Sequence, residues 1–258
     1  MGAIILSVNE SENKIPKRIH YCWFGGKEKP DVVIKLINNW KRLLHDYELI
    51  EWNEKNFNIN SNSYVKEAYQ NKKYAFVSDY VRAHALYNEG GIYLDTDVEV
   101  FRTFDNLLYH ESFWGFEQGN FIATSTIGAT KGNKVLKLLL DSYRDRSFLK
   151  NDGSFDELTN VAIITKILKE IGVEMNGKYQ EFIGFGAIYP QTYFSPYDYI
   201  NCRCFLTETT YTLHHFNKSW LPTKARLKSN MKVLTSKVIG GDNIARIRQL
   251  VSTSRRST

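Results

Sequence analysis

Two aspartates one residue apart, Asp95 and Asp97, follow the apolar run Ile92-Tyr93-Leu94 and precede Val98 and Val100. Read as one strand from Gly91 to Val100, the segment points residues i and i+2 to the same face. Two carboxylates side by side repel each other unless a cation or hydrogen-bond donors lie between them. A hard divalent ion, Mn²⁺ or Mg²⁺, suits the position because it takes oxygen ligands and bridges phosphates. Open α/β sheets bind ligands at the carboxyl ends of their strands, where these acids are expected. A lone D-x-D is usually a solvated turn; here the acids interrupt a stretch that otherwise calls for burial, which points to a metal site.

Two further groups carry chemistry. Asp79 and Arg82 stand at i and i+3 of an expected helix and share a face. Their helix runs through Gly90-Gly91 directly into the acidic strand, so the pair can reach sugar hydroxyls beside a metal–phosphate site. Taken alone, the same pair reads as a surface salt bridge worth a few tenths of a kcal/mol, order ~0.3. The late string Leu213-His214-His215-Phe216-Asn217-Lys218-Ser219-Trp220 holds adjacent histidines, which face opposite ways on a strand, so one of them reaches a given metal. Ser219 and Trp220 can contact a diphosphate and close over a donor; the plainer reading of the string is a half-buried strand with one core histidine.

The elements that must position these groups follow from periodicity. Ile15 to Phe24 reads as a first strand ending at Gly25-Gly26. Asp31 to Leu44 has helical apolar spacing, with Asp31 as N-cap. Tyr47 to Trp52 alternates as a second strand. Ser63 to Asn71 and Ser78 to Asn88 read as helices, the second capped by Ser78 and stopped at Gly90-Gly91. Val135 to Tyr143 and Asn160 to Ile171 read as further helices, Phe182 to Tyr189 and Phe205 to His215 as strands, and Ile244 to Val251 as a short basic helix. Alternating strands and helices through the first hundred residues predict an α/β fold with a mostly parallel central sheet.

With 258 residues, 43% hydrophobic and 24% charged, the composition is globular and sized for one α/β domain. Three cysteines, Cys22, Cys202 and Cys204, argue against a disulfide framework and for a reducing compartment. Ala3 to Val8 is too short to span a bilayer and lacks the flanks of a signal peptide. The expected location is therefore cytoplasmic. The net charge of +6 is uneven: residues 221–258 hold nine Lys/Arg against one acid, and the rest hold 25 against 27. A catalytic domain over 1–220 and a basic C-terminal segment over 221–258 are expected. That segment interleaves Lys224, Arg226, Lys228, Lys232 and Lys237 with apolar residues, a pattern that can lie peripherally on an anionic inner membrane face. It lacks a nucleic-acid-binding module, and no nucleic-acid partner is expected.

The string KYAFVSDYVRAHALYNEGGIYLDTDVEV, with IPKRIHYCWFGG before it and LHHFNKSW after it, resembles the D-x-D sugar transferases of glycosyltransferase family 32. That group includes capsule and surface-polysaccharide enzymes and relatives of mannosyltransferases. The spacing is also similar to the catalytic domain of the clostridial glucosylating toxins. The resemblance implies a GT-A type domain whose first half binds the nucleotide. It implies that Tyr21, Trp23 and Phe24 line the base and ribose pocket, that Asp79 and Arg82 hold the donor sugar, and that Tyr93 braces the pocket. Asp95 would touch ribose, sugar or metal through water, Asp97 would bind the metal directly, and Ser219 and Trp220 would meet the leaving diphosphate. His214 is the preferred third metal ligand and His215 the alternative.

The implied activity is retaining transfer of a hexose or N-acetylhexosamine from a nucleotide sugar, UDP-linked by family habit, to a glycan or lipid-linked acceptor in surface polysaccharide synthesis. The attacking hydroxyl would be guided by the leaving phosphate. Asp156 is the one acid named for an inverting base, with a helix cap as its plainer role. Phe116, Glu117, Asn160 and Gln191 are further acceptor-side candidates. The rivals are a toxin-like transferase acting on a protein and a haloacid dehalogenase-type phosphatase, which also uses D-x-D but on the first strand of its domain.

Overall fold

A computed structural model describes residues 14–216. In chain order its elements are β1 (Arg18–Cys22), α1 (Asp31–Leu43), β2 (Glu48–Trp52), α2 (Ser63–Gln70), α3 (Tyr74–Glu89), β3 (Gly91–Leu94), β4 (Val98–Val100), β5 (Ser112–Phe116) and β6 (Ile122–Ala129). There follow α4 (Lys134–Asp141), α5 (Asn160–Glu170), β7 (Gln180–Phe182), β8 (Gly186–Tyr189), α6 (Gln191–Phe194), β9 (Tyr197–Asp198), β10 (Arg203–Cys204) and β11 (Thr212–His214).

Seven strands form the central sheet in the order β2-β1-β3-β6-β5-β8-β7. The pairings of β1 with β2, β1 with β3 and β5 with β8 are parallel, and those of β6 with β3, β6 with β5 and β7 with β8 are antiparallel. Five strands therefore run one way and only β6 and β7 oppose them. This is the mostly parallel α/β sheet that the alternation of strands and helices predicts. Two apolar clusters flank the sheet: one packs α2, α3, α4 and α5 against it, the other α1, β4 and α6. The spacing of Val33, Leu36, Ile37 and Trp40 places one face of α1 in the second cluster. Trp40 is fully buried, and its indole N–H donates to the Val98 carbonyl at 2.9 Å, tying α1 to β4.

Several boundaries differ from the sequence reading. Pro30, not Asp31, occupies the N-cap of α1 and offers no capping side chain; Asp31 is the first helical residue, where an acid suits the helix dipole. Helix α3 starts at Tyr74 rather than at Ser78, because Phe76 and Val77 are buried in the core, Phe76 against Phe148, and carry the helix upstream. The Ser78 hydroxyl donates back to the Tyr74 carbonyl at 3.1 Å. The stretch Phe182 to Tyr189 is a hairpin, β7 and β8, turned at Gly184 (φ +77°). Only Thr212–His214 of the expected strand Phe205 to His215 forms a ladder, with a turn at Thr207–Thr210 before it.

The most consequential difference concerns the acids. Gly91 to Val100 is not one strand. The last rung to β6 is the Asp95 N–H to the Ser125 carbonyl at 2.9 Å; the Val98 N–H then closes on the Asp95 carbonyl at 3.0 Å. The chain leaves the central sheet in that turn and pairs as β4 with β11. Asp95 and Asp97 therefore lie in a turn between two sheets instead of sharing a strand face.

Gly90 (φ +68°) and Gly91 (φ +118°) make the passage from α3 into β3. Both angles fall where a side chain is disfavoured. A β-carbon on Gly91 would lie 2.8 Å from the Arg18 carbonyl oxygen and 2.9 Å from His20 Nε2. Gly91→Ala is expected to cost about 2 kcal/mol through strain and clash. The thermal midpoint should fall by roughly 4–8 °C, measured by circular dichroism; an unchanged midpoint would show that the junction relaxes freely.

Candidate active site

The site is assembled at the carboxyl-end edge of the sheet. Strand β3 delivers Asp95 there, the turn delivers Asp97, and the antiparallel ribbon of β4 and β11 delivers His214, which pairs across the ladder with Val98. The His215 N–H also donates to the Asp97 carbonyl at 3.0 Å, which locks the two segments in register. One ligand atom each from Asp95, Asp97 and His214 lies within 4.8 Å of the others; among the described residues this is the one such group. His214 Nε2 is 3.2 Å from Asp97 Oδ1, and its Nδ1 is buried without a hydrogen-bond partner among the described residues. His215 instead turns outward to Glu99 at 3.0 Å, as opposite facing of neighbours demands. Two carboxylates and an imidazole with an unsatisfied nitrogen make a donor set that fits a divalent cation.

Behind the acids lies Arg82 of α3, with only 6% of its side chain exposed. Its guanidinium is 2.9 Å from Asp79 and 3.2 Å from Asp95, and it donates to the Thr124 carbonyl at 2.6 Å and, more weakly, to the Ser78 carbonyl at 3.4 Å. Its plane lies over the Tyr93 ring, 4.6 Å from the centroid, and the Tyr93 hydroxyl donates to Asp95 at 2.9 Å. With its nitrogens so engaged, Arg82 orients the acids.

Asp79 is held from the other side at the start of α5. The Asn160 N–H reaches its carboxylate, and the Asn160 side-chain amide donates to the Asp79 carbonyl at 2.6 Å. Burial pushes the Asp79 carboxyl up to about 6, with Arg82 countering part of the shift. Burial also works against a charged His214, but Asp97 and Asp95 outweigh it, and its pKa is raised.

Glu117, directly after β5, is half-buried, with its carboxyl the more enclosed part. Desolvation pushes it up to about 7; His214 pulls it down and Asp95 pushes it further up. Its pattern, the apolar strand Phe113–Phe116 closed by an acid, repeats that of Ile92–Leu94 closed by Asp95, and that repetition is the signal present in the sequence. Thr124 and His20 carried no such signal. His20 meets the Gly90 carbonyl oxygen at 2.8 Å and accepts from the Trp52 indole at 3.1 Å, which fixes the junction ahead of β3.

Trp23 is half-buried at the end of β1, with its indole donating to the Lys27 carbonyl at 2.6 Å and Lys29 over its ring. Tyr21 and Phe24 are buried, Tyr21 against Trp40 with its hydroxyl on Glu51, and Phe24 against Phe57. Asp156 pairs with Arg146 at 2.8 Å, and the cap of α5 comes from Thr159 instead. Phe116 is fully buried, and Gln191 bonds the Ser195 and Tyr197 carbonyls. Ser219, Trp220 and the basic segment lie outside the described residues.

The family described as "glycosyltransferase sugar-binding region containing DXD motif" matches residues 30–114. Over those residues the chain is similar to a DXD glycosyltransferase region. The match takes in Asp79, Arg82, Asp95 and Asp97 and ends before His214, so the imidazole is what the fold adds to the motif. Subversion of eukaryotic traffic protein A of Legionella pneumophila is 26% identical over 55% of this chain and 27% of its own length. Inositol phosphoceramide mannosyltransferase 3 of Schizosaccharomyces pombe is 31% identical over 47% of this chain and 35% of its own length. The chain thus spans about a third or less of these curated relatives. A solved structure, the PaToxG glycosyltransferase, superposes with a TM-score of 0.45 and 19% identity over 61% of this chain and 69% of that one.

Removing Arg82 from the DXD region leaves two acids without their fixed cation. Arg82→Ala is expected to cost about 3–5 kcal/mol, as for other broken buried pairs. Arg82→Lys should recover less than half of the loss, because an ammonium cannot meet Asp79, Asp95 and the Thr124 carbonyl together. Thermal denaturation of the two variants measures this; an Arg82→Lys protein as stable as the wild type would show that the fork geometry contributes nothing.

Proposed function

We propose that the chain is a metal-dependent, retaining glycosyltransferase that moves a hexose or N-acetylhexosamine from a nucleoside-diphosphate sugar to a hydroxyl of a glycan or lipid-linked acceptor. The observation that carries this reading is the meeting of Asp95, Asp97 and His214 at the sheet edge, within a chain that holds the DXD sugar-binding region. Asp97 and His214 would hold Mn²⁺ or Mg²⁺ directly, with Asp95 alongside. Bound there, the cation would offset negative charge on the departing diphosphate.

The chain's own side chains supply the rest. Arg82 and Tyr93 fix Asp95, and Asp79 offers its raised carboxyl to sugar hydroxyls. The nucleobase is assigned to the edge beside Trp23, since β1 runs parallel to β3 and ends at the same side of the sheet. Asp156 is ion-paired with Arg146, so it offers no free base for inversion. The fission-yeast relative, inositol phosphoceramide mannosyltransferase 3, supports a lipid-linked acceptor and puts mannose among the donors to try. Assembly of a surface polysaccharide, at the inner membrane face with the basic segment 221–258 in contact with anionic lipid, is the setting we propose.

The test is a screen of UDP- and GDP-sugars for Mn²⁺-dependent release of free nucleotide, run beside Asp97→Asn. At least one donor should turn over, with loss of roughly 100-fold or more on chelation or in the variant, of order 3 kcal/mol at the transition state. Release of phosphate from phosphomonoesters with every nucleotide sugar left intact would favour the phosphatase rival instead.

Proton competition gives a second expectation. The acids around His214 hold its proton to higher pH than in free histidine, and a metal must displace that proton. Mn²⁺ affinity should therefore rise from about pH 6 toward about pH 8, with proton release up to about one per ion by calorimetry in buffers of different ionisation enthalpy. Affinity that is flat across that range would take His214 out of the shell.

A further inference from the structure

Glu117 is an acid without a counter-charge in a site that pairs its others. Asp79 and Asp95 have Arg82, and Asp97 has His214. Among the described residues, the Glu117 side chain makes no hydrogen bond or ion pair; it feels His214 and Asp95 only through space, and Tyr199 feels it in turn. Leaving a desolvated carboxyl unpaired is costly, so a position that keeps one calls for a positive charge that arrives later.

The topology says where that charge arises. Strands β3 and β5 run in the same direction, separated by β6, so Asp95 and Glu117 leave the same edge two strands apart. At a strand spacing of about 4.7–4.9 Å, their backbones are about 10 Å apart along that edge. Strand β1, with Trp23, lies on the far side of β3. A donor laid along the edge therefore passes from base over β1 to diphosphate at Asp95, Asp97 and His214, and its sugar ring falls between those ligands and Glu117.

The loop that carries Glu117 is also held in place. Its N–H donates to the Phe121 carbonyl at 2.7 Å. Next to it, the Gln118 amide donates to Asp198 at 2.6 Å, and Asp198 in turn accepts the N–H groups of Ile200 and Asn201 at 2.9 Å each.

We propose that Glu117 is a catalytic residue: its carboxylate faces the sugar ring and stabilises the positive charge that develops there as the donor opens. This rests on the reading of the chain as a nucleotide-sugar transferase. In that reaction the bond from the anomeric carbon to the diphosphate oxygen breaks, and its electron pair leaves with the oxygen. The acceptor oxygen bonds to the anomeric carbon, and its proton passes to the diphosphate oxygen. Glu117 forms no bond; its carboxylate stands beside a transient cation, an interaction that strengthens only as the reaction proceeds.

The experiment compares wild type, Glu117→Gln and Glu117→Asp in the full chain. Each is assayed with whichever nucleotide sugar turns over in the wild type, by nucleotide release with water as acceptor. Glu117→Gln should lower kcat at least tenfold while donor KM and Mn²⁺ affinity stay within twofold. Its Tm should be equal or higher, because an unpaired desolvated acid has been neutralised. Glu117→Asp, which keeps the charge, should retain more activity than Glu117→Gln. A Gln variant with wild-type kcat would overturn the proposal, and so would a rise in donor KM at unchanged kcat, which would make Glu117 a ground-state sugar contact. A wild type inactive on every nucleotide sugar would refute the proposed function first, and is thereby distinguishable from failure of this inference alone.

Discussion

The Arg82 guanidinium stands 2.9 Å from Asp79 and 3.2 Å from Asp95, almost wholly out of water. Burying a cation costs several kcal/mol, order ~5, unless partners meet it on several sides. Here they do: two carboxylates, the Thr124 carbonyl, the Ser78 carbonyl and the Tyr93 ring each take one direction. The same contacts fix α3 against β3 and β6 and leave Asp95 a defined orientation at the strand end. Four acids, Asp79, Asp95, Asp97 and Glu117, then share one permanent cation and one imidazole. The formal deficit of positive charge is what a divalent ion and a carbocation-like sugar would fill in turn.

Much of this frame was legible in the residues. The stripe Val33, Leu36, Ile37 and Trp40 announces α1, and Gly90-Gly91 marks the end of α3, because local spacing and backbone sterics decide both. Asp79, Arg82, Asp95 and Asp97 stood out because charged groups at fixed spacing interrupted apolar runs. The break after Leu94 was not legible. It depends on β4 pairing with β11, more than a hundred residues later, and nothing local distinguishes a strand that continues from one that changes sheet. Non-local pairing overrides local alternation there.

That same break makes the site. Had Gly91 to Val100 stayed one strand, Asp95 and Asp97 would share a face but His214 would have no route to them. Turning out of the central sheet after Asp95 exposes a second edge, and β11 occupies it with His214 opposite Val98. Of His214 and His215, which the sequence does not separate, the ladder turns the first toward Asp97 and the second toward Glu99. The cap of α3 misled for a related reason: Ser78 is a good cap residue, yet burial of Phe76 and Val77 outweighs a capping bond worth about 1 kcal/mol.

A cation held jointly by carboxylate and imidazole at the sheet edge is the claim on which the proposed chemistry rests. Pulsed electron paramagnetic resonance on the Mn²⁺-loaded protein tests it most directly, since imidazole nitrogen bound to Mn²⁺ modulates the echo. One histidine nitrogen is expected in the first shell, present in the wild type and in His215→Gln and absent in His214→Gln. A Mn²⁺ spectrum without nitrogen coupling in the wild type, or one unchanged in His214→Gln, would contradict it.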